Sequence, residues 1–371
     1  MLAETLLYPR RYLSLRLPHL LFRALILVAA AAAGTGIGLA IRQWRYQPAA
    51  PTAAVAVAAS PAPSASPALY PLAIPAQRAR SYPGSAVTVE TAPVAQSGYR
   101  EGTISYMSDG LKVYAAVMLP TTPAPAGGYP GIIFDHGYVQ PSAYQTDDPF
   151  YVSFASAFAS QGFAVVMPDY RRDGNSWGVP EGAFYSPGYV ADTLNLVASL
   201  RQSPEPINMS QLSLIGHSMG GHVALVAALV RPQWFRSVVL AAGSVGTLTD
   251  MYQNWQAFSD FGDPVTLGIR QRVIALFGPP TDANPFWKTA DPYTYLAGMT
   301  DPLLLAQDPN DNTVPFRFAQ ELAAAMAAAG HPAQLSSQYA GGHSFDGPAR
   351  AQFDAEAGAF IKRHLKAGER G

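Results

Sequence analysis

Ser218 stands in Gly216-His217-Ser218-Met219-Gly220, a G-x-S-x-G pattern. The apolar run Leu212–Gly216 precedes it, and Gly221-His222-Val223-Ala224-Leu225 continues as a helix would. A serine between a buried strand and a helix sits in a strained turn that exposes its hydroxyl for nucleophilic attack. The flanking glycines suit such a turn, because neighbouring backbone must approach closely. A serine nucleophile needs a base, and the base needs an acid to orient it.

Both partners follow in the chain. The run Pro302–Ala306 leads into Gln307-Asp308-Pro309-Asn310-Asp311, offering Asp308 and Asp311 as acids. Either could instead cap the helix expected near Pro315. Ser336–Ala340 reads as a strand, and Gly341-Gly342-His343-Ser344-Phe345 follows it. A histidine flanked by glycine on a loop has no core-packing role, which makes His343 the expected base. His331, in Ala-Gly-His-Pro, reads as a solvated turn residue, and His364 as a surface residue of the closing helix. The order Ser…Asp…His is that of α/β-hydrolases.

The developing oxyanion needs two backbone donors. The Met219 amide follows the nucleophile. The second is expected from His136-Gly137-Tyr138, after the apolar run Gly131–Asp135, with the Tyr138 amide as the donor. His136, His217 and His222 read mainly as structural hydrogen-bonding residues, although His217 and the Tyr138 ring are also candidates for lining the substrate pocket. Between Gly243 and Met299 lies an aromatic-rich stretch with Trp255, Phe258, Phe261, Phe277, Phe286 and Trp287. A small helical cap is expected over about 244–299, with Trp255, Phe258 and Trp287 as further pocket candidates. Asp147 and Asp148 could meet a cationic substrate group or cap the next helix.

The positioning elements are legible as alternation. Tyr99–Met107 and Leu111–Leu119 form an expected antiparallel hairpin turning at Asp109-Gly110. The runs Gly131–Asp135, Phe163–Met167, Leu212–Gly216, Ser237–Ala241 and Pro302–Ala306 each precede a helix-length segment. Short apolar strands alternating with helices predict an α/β fold: a mainly parallel sheet covered on both faces, with its site at the carboxyl ends of the strands.

Further residues carry a family resemblance. His136-Gly137-Tyr138, GFAVVMPDYRRDGNSWG at 162–178, GHSMGGH at 216–222, NPFW at 284–287, Asp311 three residues before Val314-Pro315, and GGHSF at 341–345 resemble the catalytic domain of the prolyl-oligopeptidase and dipeptidyl-peptidase group. The similarity covers roughly Gly98 to Leu365. It implies an α/β-hydrolase serine hydrolase with Ser218, Asp311 and His343 as triad, and it is this pattern that selects Asp311 over Asp308. Two departures stand out. The family usually has His-Gly where Gln307-Asp308 stand, and there is no room for the β-propeller that restricts many of those peptidases to oligopeptides. Small single-domain relatives are often esterases, so ester hydrolysis is the first expectation, peptide or amide hydrolysis the second, and a catalytically inactive binding module a reading of another class.

Composition sets the remaining bounds. Charged residues make up 13% of the 371, and the formal net charge is −1, which leaves no electrostatic footprint for nucleic acid. There is no cysteine, and the seven histidines lack metal-ligand spacing, so neither a metal nor another cofactor is expected. The expected partners are a small ester or short peptide substrate and a membrane. The oligomeric state is not legible.

Ala24 to Ile41 is eighteen residues without a charge. As a helix it spans about 27 Å, close to the hydrocarbon core of a bilayer. Arg10, Arg11, Arg16 and Arg23 precede it, and Arg42 and Arg45 follow. The positive-inside rule favours a cytoplasmic segment 1–19, a signal anchor at 20–42 and a translocated remainder. A cleaved signal with Ala54-Val55-Ala56 as cleavage motif, or a soluble core helix, are the alternatives. From Gln47 to Tyr70, eighteen of 24 residues are Ala, Pro or Ser, which predicts a linker over 43–84 and a catalytic domain over 85–371.

Overall fold

The structure is a computed structural model describing residues 70–204, 206–255 and 263–365. All described residues belong to one compact unit, Pro63–Gly371. The expected anchor at 20–42, the linker up to residue 69, and Phe258 and Phe261 lie outside them. Among the described residues no helix is long and apolar enough to cross a membrane.

The chain enters through α1 (Ile74–Ala79), then β1 (Thr88–Ala95), β2 (Tyr99–Ser108) and β3 (Leu111–Pro120). β2 and β3 pair in full register, and Asp109 and Gly110 between them have φ of 53° and 78°. Two successive positive φ values make the type I′ turn that matches strand twist, which is why an Asp-Gly pair stands there.

Alternation then sets in: β4 (Tyr129–Asp135), α2 (Pro149–Ala159), β5 (Ala164–Pro168), α3 (Gly188–Leu200), β6 (Ile207–His217), α4 (Met219–Val230) and β7 (Val238–Ala241). The cap region supplies α5 (Leu248–Asn254), α6 (Pro264–Phe277) and α7 (Pro285–Ala290). The chain closes with β8 (Leu303–Ala306), α8 (Arg317–Ala328), β9 (Gln334–Ser336) and α9 (Pro348–His364). The sheet order is β1-β2-β3-β5-β4-β6-β7-β8-β9. Pairing is antiparallel from β1 through β3 to β5 and parallel from there to β9.

Period-two alternation sorts the strand residues between two cores. Val113, Ala115, Ile133, Leu214, Val238 and Leu305 pack with α3, α4 and Phe318 of α8. Ala116, Ile132, Phe134, Ile215, Val239 and Leu304 pack with Phe154 of α2 and Phe353 of α9. Every residue of α3 and α4 is buried; α4 is apolar nearly all round, whereas α3 also buries the hydrogen-bonded Asp192, Thr193, Asn195 and Ser199.

Two expectations shift. The strand predicted over Ser336–Ala340 is instead Gln334–Ser336. Its last residue accepts the Gln307 N–H, and Tyr339 then turns into the core with its hydroxyl on Glu356 of α9. The folded unit also reaches further toward the N-terminus than a start at 85. Ala73 and Ile74 are fully buried, and the Tyr70 ring packs edge-on against Phe277 and Phe286. Arg78 Nε donates to the Leu229 carbonyl at the end of α4, and Arg231 Nη1 donates back to the Arg78 carbonyl. Burial of these side chains outweighs the Ala/Pro-rich composition that marks the preceding stretch as linker.

Candidate active site

Ser218 occupies the turn between β6 and α4 with φ 55° and ψ −121°. Positive φ in a residue with a Cβ is strained, and it is held here by hydrogen bonds on both sides. Its amide donates to the Ala241 carbonyl, and its carbonyl accepts from Gly221 and Ser244. The glycines are steric necessities. A Cβ on Gly220 would lie 2.0 Å from the Asp135 carbonyl oxygen, and one on Gly216 would lie 2.3 Å from that of Gly220.

The structure brings Ser218, His343 and Asp311 together. His343 Nε2 lies 2.9 Å from Ser218 Oγ, and His343 Nδ1 lies 2.9 Å from Asp311 Oδ2. The acceptor nature of a carboxylate fixes the proton on Nδ1, leaving Nε2 to accept from the serine hydroxyl. Asp311 is locked in place: Oδ1 accepts from the Thr313 and Val314 amides at 2.8 and 3.0 Å, and Oδ2 also accepts from Gln307 Nε2 at 3.2 Å. Its side chain is fully buried, while that of His343 is 17% exposed, facing the substrate side.

Met219 opens α4, so its amide has no carbonyl four residues back and points out of a positive helix end. Gly137 lies against Ser218: a Cβ there would come within 2.9 Å of the Ser218 Cβ and 2.5 Å of the Tyr151 hydroxyl. That contact sets the 137–138 backbone beside Ser218.

A cavity of about 200 Å³ opens over Ser218 and His343. Of the pocket candidates, Tyr138, His217 and Trp255 line it. Trp255 also donates from Nε1 to the Thr313 carbonyl, tying the cap to the loop of Asp311. Trp287 does not line the cavity. It is buried, donates to the Gly278 carbonyl and packs edge-on against Phe286 and Tyr185, so it fixes the cap to the domain. Phe258 lies outside the described residues. The remaining wall comes from places without a periodic signal: Phe150 and Tyr151 in the first turn of α2, Phe184, Tyr185 and Tyr189 around the start of α3, and Arg270 on α6.

The other histidines sit elsewhere in the electrostatics. His136 is buried between Tyr144 and Tyr170, and burial pushes its pKa down to about 4. His222 is likewise pushed down to about 4, against the Phe184 ring. His217 is pushed down to about 3 by burial and by neighbouring His343. It accepts the Tyr151 hydroxyl on Nδ1 and donates from Nε2 to the His343 carbonyl. His331 contacts the Ala297 carbonyl, and His364 packs on Phe360. Asp148 is a helix cap, accepting from the Phe150 and Tyr151 amides.

Beneath the 136–138 loop lies a layer of buried acids. Asp192 holds Arg171 bidentately, and Arg171 also binds Glu181 and Asp109. Asp135 is pushed up to about 7, Asp169 to about 8 and Asp173 to about 9, each chiefly by burial.

Sheet order, nucleophile turn and helices on both faces define an α/β-hydrolase fold. Solved structures share it: a puromycin-hydrolyzing peptidase of Mycobacterium tuberculosis (21% identity, TM-score 0.56, 76% of this chain and 42% of that one) and the S-formylglutathione hydrolase of Agrobacterium tumefaciens (20%, 0.53, 75% and 100%). Est1E of Butyrivibrio proteoclasticus, solved with ferulic acid bound, aligns at 15% identity and TM-score 0.53 over 70% of this chain and 98% of its own. The chain belongs to the Esterase family, whose model matches residues 107–360. Among curated proteins it is 39% identical over 93 residues to a serine hydrolase-like protein of Danio rerio and 30% identical over 139 residues to an epoxide hydrolase of Caballeronia sordidicola. These alignments cover 24% and 36% of this chain, and the chain spans only 26% and 38% of those relatives' lengths.

Proposed function

We propose that this protein hydrolyses a carboxylic ester through an acyl-enzyme on Ser218, with His343 as base and Asp311 as acid. The observation that carries this is the continuous chain Ser218 Oγ–His343 Nε2 and His343 Nδ1–Asp311 Oδ2, 2.9 Å at each link, with Ser218 and His343 lining the cavity. As Ser218 Oγ attacks the carbonyl carbon, its proton passes to His343 Nε2, and the imidazolium is stabilised by Asp311. The Met219 and Tyr138 amides receive the oxyanion. Collapse breaks the ester C–O bond, and Nε2–H protonates the departing alkoxide. Water then repeats the sequence and releases the acid. An ester is favoured over a peptide because seven of the twenty residues lining the cavity are Phe, Tyr or Trp, which suit an apolar acyl or alcohol group beside the charged Glu181 and Arg270.

The test uses the full chain, wild type and Ser218→Ala, with p-nitrophenyl esters, aminoacyl-p-nitroanilides and a fluorophosphonate probe. Ester turnover that falls at least about 10⁴-fold in Ser218→Ala is expected. Preferential anilide cleavage would establish a peptidase instead. No turnover and no labelling would leave a binding module.

We further propose that residues 20–42 anchor the protein with its N-terminus cytoplasmic and the hydrolase unit outside. The support is the uncharged run Ala24–Ile41 behind four arginines. Carbonate-washed membranes should retain the full chain, and protease added outside intact cells should digest the catalytic unit. Release by carbonate would refute the anchor.

A further inference from the structure

The loop carrying His343 is short, and Phe345 just beyond it is fully buried against Phe154, Tyr339 and Phe353. Residues 341–344 are all partly exposed, and Gly342 has φ 62°. Core packing thus anchors the loop at Phe345, but residues 341–344 lie outside it, and the two imidazole nitrogens must meet separate partners at once. Polar groups that take no part in the proton chain do the holding. Asp308 Oδ2 accepts the amides of Gly341 and Gly342 at 2.8 and 2.7 Å, and Oδ1 accepts the Asn310 amide at 2.7 Å. Burial opposes the charge of Asp308, but these three amides outweigh it and hold the carboxyl below its ordinary pKa. From the other side, His217 Nε2–H donates to the His343 carbonyl at 3.0 Å. Three consecutive residues of the loop are thus each fixed by a backbone group.

The neighbouring residue does the matching work on the acid. Gln307 Nε2 donates to Asp311 Oδ2 and, at 2.7 Å, to the Val314 carbonyl, which closes the turn around that carboxylate. The two positions that depart from the His-Gly of the resembling peptidases are the two that hold acid and base.

We propose that Asp308 is a positioning residue for the base. Its ionised carboxylate fixes the Gly341–Gly342 backbone through charge-assisted bonds so that His343 Nε2 stays in line with Ser218, while Gln307 does the same for Asp311. This inference rests on the reading of Ser218, His343 and Asp311 as the reacting groups. Asp308 touches neither substrate nor reacting atoms, so its removal acts on kcat through geometry.

The test compares Asp308→Ala and Asp308→Asn in the full chain, reading kcat and KM on a p-nitrophenyl ester and amide hydrogen exchange at Gly341 and Gly342. In Asp308→Ala, kcat should fall about 10- to 100-fold while KM moves less than about threefold, the loss expected when a reacting group shifts by about 1 Å. Exchange at the two amides should accelerate. Asp308→Asn keeps an oxygen that can accept both amides and should recover most of both losses. Wild-type kcat in Asp308→Ala with both amides still protected, or an Asn variant as impaired as Ala in both readouts, overturns the proposal. If the wild type shows no Ser218-dependent turnover, exchange alone decides the clamp, and only the ester-hydrolase reading falls.

Discussion

Asp173 is 2% exposed, lies 4.0 Å from His136 Nε2 through one oxygen, and has no hydrogen-bond partner for the other. Burial, and next the charge of Asp169, push its pKa from 3.8 up to about 9. The folded state therefore keeps a proton that the unfolded chain gives up above about pH 4. Stability from this group is complete below the unfolded value and is lost as pH rises toward the folded one. The buried histidines, depressed below 6.5, act in the opposite sense and only at acid pH. Between pH 7 and 9 the acids alone should set the trend, at up to about 1.4 kcal/mol per pH unit for one such group. Asp173→Asn should flatten the decline of the melting temperature over that window. An unchanged slope would show that Asp173 is ionised in the fold. At this scale the sequence was legible where chemistry imposes a signature: glycines about Ser218, glycine before His343, and chain order. Asp308 and Gln307 were read only as an alternative acid and a family departure, because a bond from a turn to a neighbouring loop leaves no spacing signal. Trp287 was misplaced for a related reason, since its aromatic character is the same for a cap anchor and a pocket wall.

Among the elements, strands buried on both faces were legible because apolar runs bounded by turns permit few alternatives, and the Asp109-Gly110 hairpin because its backbone needs those residues. Edges were less so: β9 slipped because Tyr339 is apolar for packing against Phe345 and Phe353, and not for pairing. α1 was hidden by composition. Its six residues are too few for helix periodicity, and what orders them is the surface of α4. Leu72 and Ile74, each worth about 1.5–3 kcal/mol when buried, act together with buried Ala73, Gln77 and Tyr82 and with the Arg78 and Arg231 joints to hold this segment. A chain beginning at 85 should be less stable than one beginning at 70 by about 2–4 kcal/mol, lowering the melting midpoint by roughly 3–6 °C. Equal midpoints would show that residues 70–84 only decorate the surface.

For the whole molecule, the sequence pointed to one hydrolase unit and the structure describes one sheet whose two cores meet the site at the carboxyl ends of its parallel strands. α4 links the two ends of that unit. Its first residue follows Ser218, and its last turn is bolted to the entering chain by Arg78 on Leu229 and by Arg231 on the carbonyls of Arg78 and Arg80. Twelve residues place those ends about 18 Å apart. A displacement of residues 70–80 would thus meet a guanidinium-to-carbonyl joint one helix length from Ser218. The joint that seats the entering chain and the strained turn at Ser218 are therefore kept apart by the full length of one buried helix.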